Sequence, residues 1–360
     1  MNDVTHQSDS PQGLRSLHPR MRSCVLASLA TFALYHVGNA FAEDRVFYLL
    51  EGSGGRGVVS GTILDVAGKR ITIRTGKGTT KELSTTEVLE LETSQSDEHR
   101  AAKEFVKLGR MDDANASYQA ALELEKRVWM RREIIAEMIR CNLRQGNYAQ
   151  AGGRFLILLQ SDTETSHFHL IPLKWSQYDR NPAWSSEAER WMELTQPAAK
   201  LMGASVLLDD AEHAAKAERV LDQLATDLDR RVAYLARMQL WRLRLQSGDI
   251  TNQEPLRWQT RLDELPEDLR YGGYYLLGQA YLQQGSRDRA AAAFLWLPMT
   301  NAPDHRLSAR AMLEAAESLE ITGQIAEAEN LYRDLLQRYA DTPLAQDARD
   351  LLAKLQSRQK

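Results

Sequence analysis

His167-Phe168-His169 is the closest pairing of histidines in the chain. In an extended segment alternate residues share a side. Both imidazoles would then face one metal ion, with Asp162, Glu164 or Asp179 as a third ligand. Pairs of this kind more often serve structure or face solvent. No HExxH, GxSxG, P-loop or CxxC pattern accompanies this one. Asp112-Asp113 and Asp209-Asp210 read as helix-start carboxylates, which favour the dipole and satisfy free amides. Cys141 reads as a small core residue, since no His and Asp arrangement activates it. Trp175, Trp184, Trp191, Trp241, Trp258 and Trp296 offer stacking planes for a sugar polymer. Their spread along amphipathic segments favours core packing instead. These residues form no catalytic constellation, so the chain reads as non-enzymatic and free of cofactor.

The residues with the strongest pattern are structural. Gly109, Ala114, Tyr118 and Ala121 have offsets of about five, four and three. The same offsets recur in Gly146, Ala151, Phe155, Leu158, in Gly285, Ala290, Phe294, Leu297 and in Gly323, Ala328, Tyr332, Leu335. The glycine ends a first helix and reverses the chain. The alanine sits where the second helix crosses the first, and the aromatic and apolar residues fill the contact with neighbours. Tyr274, Leu277-Gly278 and Tyr281 precede Gly285 at first-helix spacing. Together these positions resemble the tetratricopeptide repeat. The segment from Tyr332 to Tyr339 followed by Thr342-Pro343-Leu344-Ala345 resembles the units of bacterial envelope-biogenesis scaffolds, with Ala340 where proline is usual.

The resemblance implies an α-solenoid that binds an extended protein or peptide on its concave face. Counting in register, that face receives Lys103, Lys107, Arg140 and Arg144 early, and Tyr275, Gln279, Arg310, Glu317 and Glu320 late. The expectation is a groove basic at one end and acidic at the other; a solvated charged face is the alternative. Residues 97–160 and 268–358 carry the clear units, the latter with a capping helix. Residues 187–265 read as two degenerate hairpins, with Gly248 keeping the register for one. Residues 161–186 have no sustained period, yet Phe168, Leu170, Ile171, Leu173 and Trp175 are too apolar for a free linker. An ordered insertion is expected there.

Residues 43–93 have period two, with glycine-bearing turns at Ala67-Gly68 and Gly76-Lys77-Gly78. They read as a small SH3-like or Lsm-like barrel, close to the lower size limit for folding alone. Ile71 and Ile73 share one face, and Leu89 and Leu91 another. Gly52-Ser53-Gly54-Gly55-Arg56-Gly57 leads into a strand without a Gly-Lys-Ser/Thr ending, so it reads as a loop and not a phosphate cradle. Lys69, Arg70, Arg74, Lys77 and Lys81 read as a solvated hairpin face or a weak contact with an anionic wall polymer.

Arg15, Arg20 and Arg22 precede an apolar run from Cys24 to Val37, followed by Ala40-Phe41-Ala42. Basic start, short apolar core and small-residue exit are the parts of a secretory signal over residues 1–42, with cleavage expected after Ala42. The mature chain would be periplasmic or extracellular, without a membrane span. The net charge of -4 over the full sequence gives no reason to expect nucleic acid.

Overall fold

Left-handed glycines punctuate the helices. Gly109, Gly146, Gly248, Gly285 and Gly323 have φ between 72° and 83°, a conformation that side chains with a Cβ resist. The computed structural model describes residues 43–50, 54–178 and 182–358. The expected signal, Gly52-Ser53 and Asp179 lie outside them.

The chain begins with an antiparallel sheet of β1 (Asp44–Leu49), β2 (Arg56–Ala67), β3 (Arg70–Thr75), β4 (Thr80–Ser84) and β5 (Val88–Glu92). Their order is β4-β3-β2-β1-β5. No ladder joins β4 to β5 among the described residues, so the expected barrel is an open sheet here. Ile71 and Ile73 are buried as expected. On β5 the register shifts opposite Phe47 and Tyr48, which leaves Leu89 exposed and turns Val88 and Leu91 inward. A bulge of this kind moves side chains to the other face.

The sheet does not fold around its own core. Val46, Ile63, Ile71, Ile73 and Leu83 share one apolar cluster with Tyr118, Trp129, Ile134 and Met138 of the following helices. Arg132 reinforces the junction, reaching the Asp65 carboxylate at 2.9 Å and the Val66 carbonyl at 3.0 Å. About fifty residues of sheet therefore borrow the apolar surface they lack.

Helices follow as α1 (Asp97–Lys107), α2 (Met111–Leu124), α3 (Val128–Gln145) and α4 (Tyr148–Ser161). After an irregular stretch come α5 (Pro182–Met192), α6 (Pro197–Leu207), α7 (Ala214–Leu224), α8 (Arg230–Ser247) and α9 (Glu254–Asp263). The last are α10 (Tyr271–Gln283), α11 (Arg287–Met299), α12 (His305–Ile321), α13 (Ile325–Arg338) and α14 (Leu344–Arg358). The three non-glycine members of every quartet are at most 1% exposed. At Gly278 a Cβ would stand 2.4 Å from the Phe294 ring, so the first-helix glycine receives the aromatic of its own second helix. Where two hairpins are expected over residues 187–265 there are five helices, α5 to α9, because the chain breaks before Pro197 and divides the first expected helix into α5 and α6. Trp258, one place beyond the aromatic's register, stacks on Trp241 at 4.6 Å. That offset hid the unit from a fixed-spacing reading.

The helices do not form an open solenoid. From α3 and α4 onward, contacts pass through α5, α6, α7, α8, α10 and α11 to α12, and α12 touches α3 again. This part of the array is a closed circuit, with α1 and α2 outside it and α13 and α14 following it. Among the described residues, no helix is long and apolar enough to cross a membrane.

The shared first core yields a test. Tyr118→Ala should cost about 3–5 kcal/mol and should also speed amide hydrogen exchange at Ile71 and Ile73. Unchanged exchange in β3, with the helices destabilised, would contradict a common core.

Candidate functional site

The expected insertion is the centre of the molecule. Residues 162–178 leave α4, make one 3-10 turn at Phe168–Leu170 and then run without regular structure along the inside of the circuit. Residues 171–176 are all buried. The insertion ends earlier than expected, since Pro182 already begins α5.

Each stretch of this strap meets a different helix. Phe168 packs edge-on against Phe155 at 5.5 Å and lies beneath Arg231 at 4.2 Å. Ser205 of α6 grips the backbone of Lys174, its hydroxyl accepting from the amide at 2.8 Å and lying 3.3 Å from the carbonyl. Trp175 fills the hollow over Gly272 of α10, where a Cβ would stand 2.0 Å from the indole. Tyr178 lies 4.4 Å beneath the Arg310 guanidinium of α12. An extended chain has no internal hydrogen bonds, so such side-chain grips are what make its burial tolerable.

One polar cluster fastens the strap, and a second joins α10 to α12 beside it. In the first, Asp209 lies 2.9 Å from Lys174 and also holds Arg242 and Gln246. Burial alone would raise the Asp209 carboxyl, but Arg242 and Lys174 hold it below the ordinary range. Asp209 follows the end of α6 and is not the helix-start carboxylate expected. Asp210 does have that local role, accepting from the His213 amide at 3.0 Å. In the second cluster, Tyr275 donates to Glu314 at 3.0 Å and Gln279 donates to the other carboxylate oxygen. Burial pushes Glu314 up to about 7, against the opposing pull of the Tyr275 hydroxyl and Arg310.

The nine groove residues are thus scattered. Lys103 and Lys107 are exposed on α1, outside the circuit, with Lys107 paired to Glu104 at 2.7 Å. Arg140 pairs with Glu137 at 3.0 Å, and Arg144 crosses the circuit to Asp341 at 2.9 Å. Tyr275 is 2% exposed. Glu317 is half-buried, and Glu320 pairs with Arg358 at 3.0 Å. The continuous groove from a basic to an acidic end is not present: the strap covers its middle, and Arg144 spends its charge on Asp341. Tyr275 and Gln279 do line an open pocket of about 130 Å³ at the strap's end, with Tyr178, Leu245, Gln246 and Gln283.

The histidine rings stay 6.3 Å apart, but each is engaged by a different carboxylate. His167 meets Glu133 at 3.0 Å, while His169 lies 3.7 Å from Asp268. Burial, with Arg140 and His167 nearby, lowers His169 to about 4. Asp162 accepts from the Gly68 amide at 2.8 Å, and Glu164 is exposed near Arg231. Among the described residues no three metal-ligating side chains converge. Trp184 and Trp191 are 1% and 3% exposed, and Trp191 lies against Gly152 of α4. They are core residues and leave no sugar platform. Burial also raises Cys141 to about 11, away from any nucleophilic role.

Sequence reasoning missed Lys174, Ser205, Arg242, Asp304, Glu314 and Asp341. Only the apolar density of residues 168–175 signalled that a partner surface had to exist inside the molecule.

No family model matches this sequence, and no curated protein matches it. Among solved structures, the chain is similar to the TPR2AB-domain:pHSP90 complex of yeast Sti1, at 17% identity and a TM-score of 0.28. The match covers 72% of this chain and 97% of that one. At that score the superposition carries no argument, and the helical hairpins stand on their own geometry.

Glu314 gives a pH test. The folded chain holds its proton more tightly than the unfolded chain does, so this contribution is complete below about pH 4.5 and is lost as pH rises through about 7. Relative to Glu314→Gln, the wild type should lose on the order of 3 kcal/mol across that window. Denaturant melts of both proteins at either end measure it; parallel pH profiles would refute the assignment.

Proposed function

We propose that the chain is an exported, non-enzymatic scaffold that holds a protein partner in the bacterial cell envelope. The signal-like leader supports export, and the repeat signature with its envelope-type C-terminal units supports the scaffold. The sheet, in this reading, is a small module fused to the array and not a separate domain.

The observation that carries the reading is the pocket where the strap ends. Tyr275 and Gln279 of the expected concave face line it, and Arg310 stands over Tyr178 at its edge. Glutamine amides, two tyrosines and two leucines make a wall able to hold both the backbone and an apolar side chain of an extended segment. The partner would therefore sit beyond the strap, not along the whole concave face. A wall-polymer contact loses its main support with the burial of Trp184 and Trp191.

Two measurements test this. Arg310→Glu combined with Tyr178→Ala should reduce capture of the partner from an envelope extract by about tenfold or more, the size of a lost hot spot. An unchanged set of captured proteins would sink the pocket assignment. Fractionation with N-terminal sequencing should find the mature chain outside the cytoplasm, beginning at Glu43. Retention in the cytoplasm would overturn the export reading.

A further inference from the structure

The helical circuit is not equally fastened all the way round. Between α4 and α5, Tyr148 stacks on Trp184 at 4.2 Å. Tyr274 stacks on Trp296 between α10 and α11 at 4.6 Å, and the Trp241–Trp258 stack holds α9, which lies outside the circuit, to α8. Burying one such side chain is worth about 1.5–3 kcal/mol.

Where α12 meets α3, Leu143 and Leu307 belong to one apolar cluster, and a set of polar contacts is added to it. Asp341, in the turn before α14, accepts from Arg144 of α3 and lies against His305 of α12, both at 2.9 Å. Arg306 donates to the Gln145 carbonyl at 2.5 Å, a cation on the C-terminal end of α3. Tyr148 donates to Asp304 at 3.3 Å. The central pair is open to solvent, at 32% and 40% side-chain exposure, where an ion pair is worth about 0–1 kcal/mol. Gly146 belongs to this joint twice over. It ends α3 in a left-handed turn, and a Cβ there would stand 2.4 Å from the Arg306 guanidinium.

We propose that this joint is a clasp, the place where the circuit opens and gives access to the strap-lined interior. The strap stays bound when it opens, because its apolar side chains bury far more surface than the clasp does. Opening separates α3 and α4 from α12 and α14 and leaves the aromatic joints intact. The inference stands on the clasp's own contacts and holds whatever the partner is.

Spin labels on Ile157→Cys of α4 and Lys354→Cys of α14, with Cys24→Ser, report the gap; Cys141 is buried and stays unlabelled. The wild type at low salt should give one short distance. A longer population should appear in Arg144→Ala/Asp341→Asn, and in the wild type near 1 M salt, where the Debye length is about 3 Å. Gly146→Ala should open the clasp, while Gly248→Ala should not. The two glycines share nearly the same φ, 73° and 72°, yet nothing lies within 4 Å of a Cβ at 248. Opening in Gly248→Ala as well would assign the effect to backbone strain and overturn the clasp. A single unchanged distance in all of them, with helix content kept, would do the same. If the double variant fails to fold, the salt series on the wild type decides.

Discussion

An extended segment buried on both sides must have its backbone amides and carbonyls satisfied by something other than itself. That constraint organises this protein. Residues 171–176 are buried without belonging to helix or sheet, so the surrounding helices supply what regular structure would have supplied. Ser205 meets the Lys174 backbone, and Gly272 gives up its side chain to admit Trp175. The polar groups that would be costly in the interior then close on one another, with Asp209 shared between Lys174 and Arg242. Breaking one member of such a set leaves the others buried without a partner.

Curvature follows from the same constraint. Helical hairpins stacked at a constant angle would leave an apolar concave face open to water. Here the strap covers that face, and the array curls until α12 meets α3. What stays open of the expected groove is a pocket at the strap's end. Charge placement changes with it, since Arg144 crosses to Asp341 and Glu320 to Arg358. Of the charges that looked like a ligand gradient in a linear reading, Arg144 serves closure of the array and Glu320 ties α12 to α14.

The sheet joins the array by a comparable economy of surface. Five short strands cannot enclose a core alone, and their inner face completes the cluster around Tyr118 and Trp129. Arg132 and Asp162 then tie the β2–β3 hairpin to α3 and to the start of the strap. The start of the strap is thus hydrogen-bonded to the sheet across a separation of 94 residues in sequence.

The amino-acid sequence by itself determined the repeat units. Glycine, alanine and aromatic recur at offsets whose physical reasons are local: a left-handed turn, a close helix crossing, a hollow to fill. It likewise set the period-two strands around Ile71 and Ile73 and the order of residues 168–175, whose apolarity forbids a free linker. It left three things open. The bulge that turns Leu89 out depends on the pairing of β5 with β1. The shifted aromatic Trp258 depends on Trp241 across the hairpin. The site depends on contacts such as Arg144 with Asp341 and Tyr275 with Glu314, separated by many residues. Local periodicity specifies which face of a helix is inward, but not what it will meet. Only the closed tertiary structure decided that the inward face meets the chain's own strap.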